Sequence, residues 1–317
     1  MTDAHKIALT WKIRESLRME GFDLSGIAQA LPHHEDSQHI GEWIAAGKNG
    51  TMGFFDRSLE KRGDITSLVE GAKSVIVAGL RYYSNDPSAG SDNYFISRYA
   101  RVRDYHQVIE EKLNRVQKII KKEVPDSVSR AFCDAGPVAE KVWAIRAGLG
   151  WRGRQSLVIN KDIGSFFFLG VIVTSAEFLY DNASARDRCG DCNLCVEACP
   201  TGAICSDRTI DARRCIAYLT IEHDGDLPEE FRGKTERIIF GCDRCQEVCP
   251  YNKKALHYTD KELVPDFQIT SLTKREWLGM TPDEYKKLFK SSPLKRTGFN
   301  KIRRNIDFVD YRSPEKR

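Results

Sequence analysis

Apolar positions recur at helical spacing over residues 5–20 and stop before Gly21, which predicts an amphipathic helix. Ser74–Leu80 (Ser-Val-Ile-Val-Ala-Gly-Leu) reads as a buried strand. Val108, Ile109, Leu113, Val116, Ile119 and Ile120 fall on one helical face over His106–Lys122. A strand is expected at Val128–Cys133, followed by the turn Asp134-Ala-Gly-Pro137. Pro137 suits the first turn of a helix that runs to about Ala147 and stops at Gly148. Ser156–Asn160 and Phe166–Thr174 predict two more strands. Helices and strands alternate irregularly, so the fold class is α+β or α/β. Residues 181–188 are polar and read as a linker. Three regions follow: 1–180, a cysteine-rich 181–265, and a basic 266–317 that packs on the core.

The longest apolar stretch, Phe166–Val173, is interrupted by Gly170 and suits a strand. No run of 18 apolar residues exists, so no membrane span is expected. Met1–Thr10 lacks a basic region followed by an apolar one, and the expected location is the cytoplasm. The composition, 41% hydrophobic and 30% charged over 317 residues, is that of a globular chain with room for two modest domains. The net charge of +4 is unevenly spread. Lys286–Arg317 holds eleven Lys/Arg against three Asp/Glu, a local +8, leaving −4 (4 − 8) elsewhere. A basic segment on a slightly acidic body fits a polyanion partner, and equally a solvated basic surface.

Ten cysteines in a chain of this kind point to metal binding rather than disulfides. Only Cys133 lies in the first half, and nine fall between Cys189 and Cys249. The first run, Cys189-x2-Cys192-x2-Cys195-x3-Cys199-Pro200, has the spacing of a bacterial ferredoxin, in which the fourth cysteine serves the other cluster. The second, Cys242-x2-Cys245-x3-Cys249-Pro250, lacks one early cysteine, which Cys215 can supply. The crossed assignment gives one [4Fe–4S] cluster to Cys189, Cys192, Cys195 and Cys249. The second goes to Cys199, Cys215, Cys242 and Cys245. Cys133 and Cys205 are left over and read as small apolar residues. Two Cys-x2-Cys pairs could hold zinc, but the partly repeated x2-x2-x3-Pro register favours clusters. Two clusters form a short electron path, and the long preceding region is where those electrons would serve chemistry.

Several motifs outside the cysteines give the chain a family resemblance. They are Gly50-Thr-Met-Gly-Phe-Phe55 with Arg57, Gly71-Ala-Lys-Ser-Val75, Ser97-Arg-Tyr-Ala-Arg101 and Asp104-Tyr-His106. Asp134-x-Gly-Pro137 with Glu140-Lys141, Ala147-Gly-Leu-Gly-Trp151, Asp211-Ala-Arg-Arg-Cys215 and Tyr218-Leu-Thr-Ile-Glu222 complete them. With the cysteine frame, they make the chain resemble the epoxyqueuosine reductases. The resemblance implies an N-terminal cobalamin-binding α/β domain followed by a ferredoxin-like two-cluster domain. It implies a reductase converting epoxyqueuosine to queuosine at the wobble position of a tRNA anticodon. Asp134 matches the family's proton donor. Arg57, Ser97, Asp134, Gln155, Ser156 and Leu169 match cofactor-contact positions, and a monomer fed by a low-potential electron donor is expected. Val102 and Phe132-Cys133 depart from the family pattern. The chain ends at Arg317, where many relatives continue into a helical-repeat extension.

Asp-x-His-x-x-Gly, the signature of a protein-supplied cobalt ligand, fails at both starts. Ala8 follows Asp3-Ala-His5 and Ile109 follows Asp104-Tyr-His106 where glycine is needed. Base-off cobalamin without a histidine ligand is therefore expected. Asp134 lies where a strand ends before a helix, so it is either a general acid whose pKa burial raises or a turn residue. Lys295, Arg296, Lys301, Arg303 and Arg304 are candidates for anticodon-stem phosphates, with Arg214 and His223 as further RNA candidates. Three other readings compete: a dehalogenase-like corrinoid enzyme, a plain electron carrier, and an RNA-binding protein with structural clusters. Corrinoid binding, turnover and a use for Asp134 separate them.

Overall fold

The computed structural model describes residues 2–85, 92–183 and 187–310; part of the expected linker (184–186) and the end of the basic segment (311–317) lie outside the described residues. The centre is an antiparallel sheet of β1 (Leu24–Gln29), β2 (Ser74–Arg81), β3 (Ser129–Phe132) and β4 (Phe167–Thr174), in the order β1-β2-β4-β3. β2 and β4 pair over their full length, from Ser74 opposite Thr174 to Arg81 opposite Phe167. Side chains alternate between the two faces of a strand, and both faces are covered. Ile76, Ala78, Leu80 and Ile172 meet α1 (Asp3–Met19) and α3 (Tyr105–Glu123) through Leu9, Ile13, Leu17, Val108, Ile109 and Leu113. Val75, Val77, Val171 and Val173 meet Trp143 and Ala144 of α4 (Glu140–Arg146) on the other face. Each of these fully buried aliphatic side chains contributes roughly 1.5–3 kcal/mol of transfer free energy. Gly170 seats α3 on the sheet, since a Cβ there would lie 2.6 Å from Ile109 Cγ2.

Two local expectations differ from what forms. The helix after the Asp134 turn begins at Glu140 rather than near Pro137. Asp134 (φ 51°) and Gly136 (φ 106°) hold the chain in left-handed conformations, so it loops before turning helical. The strand expected at 156–160 shrinks to Val158–Ile159, paired with Trp151–Arg152, because Ser156 (φ 63°) breaks the extended backbone.

The cysteine-rich part does not fold apart from residues 1–180. Phe95–Ile96 pairs in parallel with Ile238–Phe240. After α2 (His34–Ala45), the backbone N–H of Thr51 donates to Tyr218 Oη at 2.7 Å, and Trp43 Nε1 donates to the Ile210 carbonyl at 2.7 Å. The C-terminal helix α5 (Leu294–Asp310), bent at Gly298, packs on the same unit. Its fully buried Asn305 donates to the carbonyls of Thr220 and Ile239, both at 2.8 Å. Ile302 and Ile306 share a core with Tyr94, Ile96, Phe240, Trp277 and Phe289. Segments distant in sequence are thus drawn around one cleft.

Candidate active site

The cleft is a cavity with two adjoining lobes, of about 690 and 920 Å³. Tyr82, Tyr99, Asp134, Glu140, Lys141, Leu157, Glu222 and Arg296 line both. The smaller lobe adds Asp104, Tyr105, His106, Leu169 and Lys295, and the larger adds Ser97, Gln155, Ser156, Cys199, Cys215, Cys242 and Cys245.

Asp134 stands at the junction. β3 ends at Phe132 and buried Cys133 anchors the chain, so the left-handed turn at Asp134 swings its carboxylate into the cavity. Its side chain is 61% exposed and lines both lobes. The elements of α3 meet it there. Asp104 caps this helix, its side chain accepting from the His106 backbone N–H, which places Tyr105 and His106 in the first turn. Tyr105 Oη donates to Asp134 Oδ2 at 2.6 Å. His106 lies with Nε2 3.5 Å from Asp134 Oδ2 and Nδ1 2.7 Å from Asp104 Oδ1. Tyr105 stacks between His106 and Phe168, with ring centroids 4.0 and 4.1 Å away, which fixes the hydroxyl's direction.

These contacts reverse one expectation. Burial does push the Asp134 carboxyl up, but the contacts of His106 and Tyr105 outweigh it and hold the group below its ordinary value. The raised values belong to its neighbours. Burial pushes the His106 imidazole down, yet Asp104 and Asp134 overcome this and lift it to about 9. Burial, reinforced by the charge of Asp134, lifts Glu140 to about 7. At neutral pH Asp134 is therefore a carboxylate paired with an imidazolium. Tyr105, His106 and Glu140 sit in motifs recognised in the sequence, but their roles were missed. The Asp-x-His spacing at a helix cap was the available signal for His106.

None of the ten cysteines is joined in a disulfide. Cys199, Cys215, Cys242 and Cys245 border the larger lobe, whereas Cys189, Cys192, Cys195 and Cys249 do not. Electrostatic neighbours follow the two sets except where they adjoin, at Cys245 and Cys195. Cys195 feels Cys189 and Cys249, and Cys249 feels Cys189 and Cys192. Cys242 and Cys245 both feel Cys215, which feels Cys199. Among the described residues, no three His, Cys, Asp or Glu side chains stand close enough to hold a single ion; a cubane, with one thiolate on each iron, does not require it. Cys133 is buried in the sheet core, and Cys205 contacts the Ala203 carbonyl outside both sets.

A buried network ties the second set to the sheet. Asp243, next to Cys242, accepts from the Ser97 hydroxyl and pairs with Arg98 Nη1 at 3.0 Å. Arg98 also reaches Glu247 at 2.7 Å and the Ser84 carbonyl at 2.9 Å.

The larger lobe leaves a buried donor open to a ligand. Gln155 is 4% exposed and its Nε2 has no hydrogen-bond partner, an arrangement that is costly unless a ligand acceptor completes it. Cobalamin's amide-bearing rim carries such acceptors. Ser156 and Asp134, two of the four non-glycine residues described with positive φ, both line the lobe, and backbone strain concentrates at functional sites. Ser97, Asp134, Gln155 and Ser156 line the larger lobe, and Leu169 the smaller. Arg57 lines neither, while Arg62, five residues on, lines the larger.

The basic candidates divide. Lys295 and Arg296 border the cavity, with Arg296 paired to Glu222. Lys301 pairs with Asp224 at 2.8 Å, and Arg303 donates to the Leu278 carbonyl at 2.7 Å. Arg304 is spent on the carbonyls of Leu219, His223 and Gly225. Arg214 donates to the Thr201 carbonyl, and His223 Nε2 lies 3.1 Å from the Asp226 carbonyl oxygen. Lys286, Lys287, Lys290 and Lys295 are exposed and carry no ion pair among the described residues.

Residues 62–135 match the family model "Epoxyqueuosine reductase QueG, DUF1730", and residues 188–252 match "4Fe-4S double cluster binding domain". An epoxyqueuosine reductase of Cyclobacterium marinum is 41% identical over 94% of this chain and 95% of its own. Among solved structures, an epoxyqueuosine reductase with a tRNA-Tyr epoxyqueuosine-modified stem loop aligns with TM-score 0.88 and 28% identity, over 95% of this chain and 80% of that one. A Bacillus subtilis epoxyqueuosine reductase, with its catalytic aspartate loop swung out of the active site, aligns with TM-score 0.88 and 29% identity, over 95% and 81%. The likeness to the Cyclobacterium marinum enzyme extends over nearly the whole of both chains, and the chain belongs to the epoxyqueuosine reductase family.

Proposed function

We propose that this protein reduces epoxyqueuosine to queuosine in a tRNA anticodon, using cobalamin in the larger lobe and electrons from two [4Fe–4S] clusters. One observation carries the reading: the Asp134 carboxylate, with Tyr105 and His106, meets a cavity that Cys199, Cys215, Cys242 and Cys245 also line. A proton source and an electron outlet thereby face the same space. Bound cobalamin would supply a low-valent, nucleophilic cobalt matched to an epoxide carbon, with Ser97, Gln155 and Ser156 holding it.

The chain's own residues manage the protons. Asp134 is the donor to the opening epoxide oxygen, and its proton comes from His106, the group that carries it at neutral pH. Asp104 and Tyr105 orient the pair. Cys199, Cys215, Cys242 and Cys245 would hold the cluster next to the cavity, and Cys189, Cys192, Cys195 and Cys249 the outer one. That order gives electrons from a low-potential donor a direct path inward.

Lys295 and Arg296 at the cavity border, together with the exposed Lys286, Lys287 and Lys290, are suited to anticodon-stem phosphates. Lys301, Arg303, Arg304 and Arg214 support the fold through their carbonyl and carboxylate partners. Among the described residues, no helix is long and apolar enough to cross a membrane, and a tRNA substrate favours the cytoplasm.

The test is anaerobic reconstitution with cobalamin, a strong reductant and tRNA bearing epoxyqueuosine, read by nucleoside mass spectrometry. Cobalamin-dependent loss of one oxygen from the nucleoside supports the assignment. Corrinoid binding with untouched tRNA overturns the substrate, and absence of corrinoid binding overturns the reading of the larger lobe.

A further inference from the structure

Deoxygenating an epoxide to an alkene consumes two electrons and two protons. The first C–O cleavage leaves the bonding pair on oxygen, which takes one proton. The second releases that oxygen as hydroxide, which takes another to leave as water. The His106–Asp134 pair accounts for one proton, and the clusters for both electrons. The inference here rests on the proposed function and concerns the second proton.

Glu140 opens α4 and lines both lobes beside Asp134. Its Oε1 is fully enclosed and has no hydrogen-bond partner. Among the described residues it makes no ion pair. The nearest guanidinium, that of Arg62, is directed at the Val138 and Gly136 carbonyls and Ser58 Oγ. A carboxylate oxygen enclosed without a donor costs far more than a neutral acid in the same place. The groups facing Glu140 are Asp134 and Cys133, and against them its own backbone N–H, Arg62 and Lys141. Burial and Asp134 prevail, which agrees with a proton held to about pH 7.

We propose that Glu140 is a second catalytic acid: it stores a proton in the cavity and delivers it to the departing hydroxide, giving water and an ionised Glu140. Asp134 and Glu140 then divide the two protonations, one drawing on an imidazolium and the other using its own acid proton.

The first readout needs neither cobalamin nor substrate. Infrared difference spectra of the clustered protein, titrated from pH 5 to 9 (roughly two units either side of neutral), should show a carboxylic-acid carbonyl band that disappears near pH 7. Glu140→Gln removes that band and Glu140→Asp moves it, while circular dichroism checks folding. In reconstituted enzyme, Glu140→Gln should lower queuosine formation about 100-fold and abolish the activity limb near pH 7, with cobalamin absorbance unchanged and partial rescue by Glu140→Asp. A band absent from the wild type, or present unchanged in both variants, overturns the assignment. So does a Glu140→Gln enzyme with the wild-type rate and pH profile. If the band behaves as expected but the wild type forms no queuosine, the substrate reading falls and takes the second protonation with it.

Discussion

The protonation of His106 decides whether Asp134 can act as a donor at neutral pH. The lift of His106 from its ordinary 6.5 to about 9 corresponds to about 3 kcal/mol at 1.36 kcal/mol per pH unit, an upper figure because 29% of the side chain is exposed. Asp104, at 2.7 Å, is the nearer partner and Asp134, at 3.5 Å, the farther. An opposite charge at such distances shifts a pKa by roughly 1–3 units, so Asp134→Asn should lower the His106 midpoint by about one unit and Asp104→Asn by more. Because the folded value is raised, this contribution to stability is complete below about pH 6.5 and is lost as pH rises through about 9. The assay is nuclear magnetic resonance of ring-labelled histidine, with His106→Gln identifying the resonance among the seven histidines. The wild-type midpoint should lie near 9. A midpoint near 6.5, or one unmoved by Asp134→Asn, would refute the view that the proton resides on this pair.

Other outcomes follow from the same geometry. Asp134→Asn should reduce queuosine formation by about 100- to 10,000-fold in the reconstituted assay while leaving cobalamin absorbance intact. Cys242→Ser should remove about half of the bound iron, whereas Cys205→Ala should leave iron content unchanged, as measured by iron analysis and electron paramagnetic resonance. Arg98→Met leaves Asp243 buried without its partner and should cost about 3–5 kcal/mol, measured by denaturant unfolding of the cluster-loaded protein. The double change Lys290→Glu, Lys295→Glu should weaken tRNA binding and flatten its salt dependence, while Arg304→Ala should chiefly lower the melting temperature.

What the sequence determined by itself was local and periodic. The sheet strands at 74–81 and 167–174 and the helix at 105–123 were legible because burial on a regular element imposes a period on apolar residues. The cysteine frame was legible because cubane ligation constrains short spacings within one loop. The family was legible because its motifs are contiguous. The tertiary structure decided everything that depends on residues far apart in sequence. It carried the 43–55 and 94–100 stretches across the expected boundary at 180, since their partners, Ile210, Tyr218 and Ile238–Phe240, lie in the cysteine-rich region. It separated Lys295 and Arg296 at the cavity border from Arg304, which is spent on carbonyls. It also reversed the expected effect on Asp134, placing the proton on His106. A pKa is set by whichever charges and donors lie within a few ångströms, and these neighbours, Asp104 to His106 on one side and Asp134 on the other, come from two separate segments that only folding brings together.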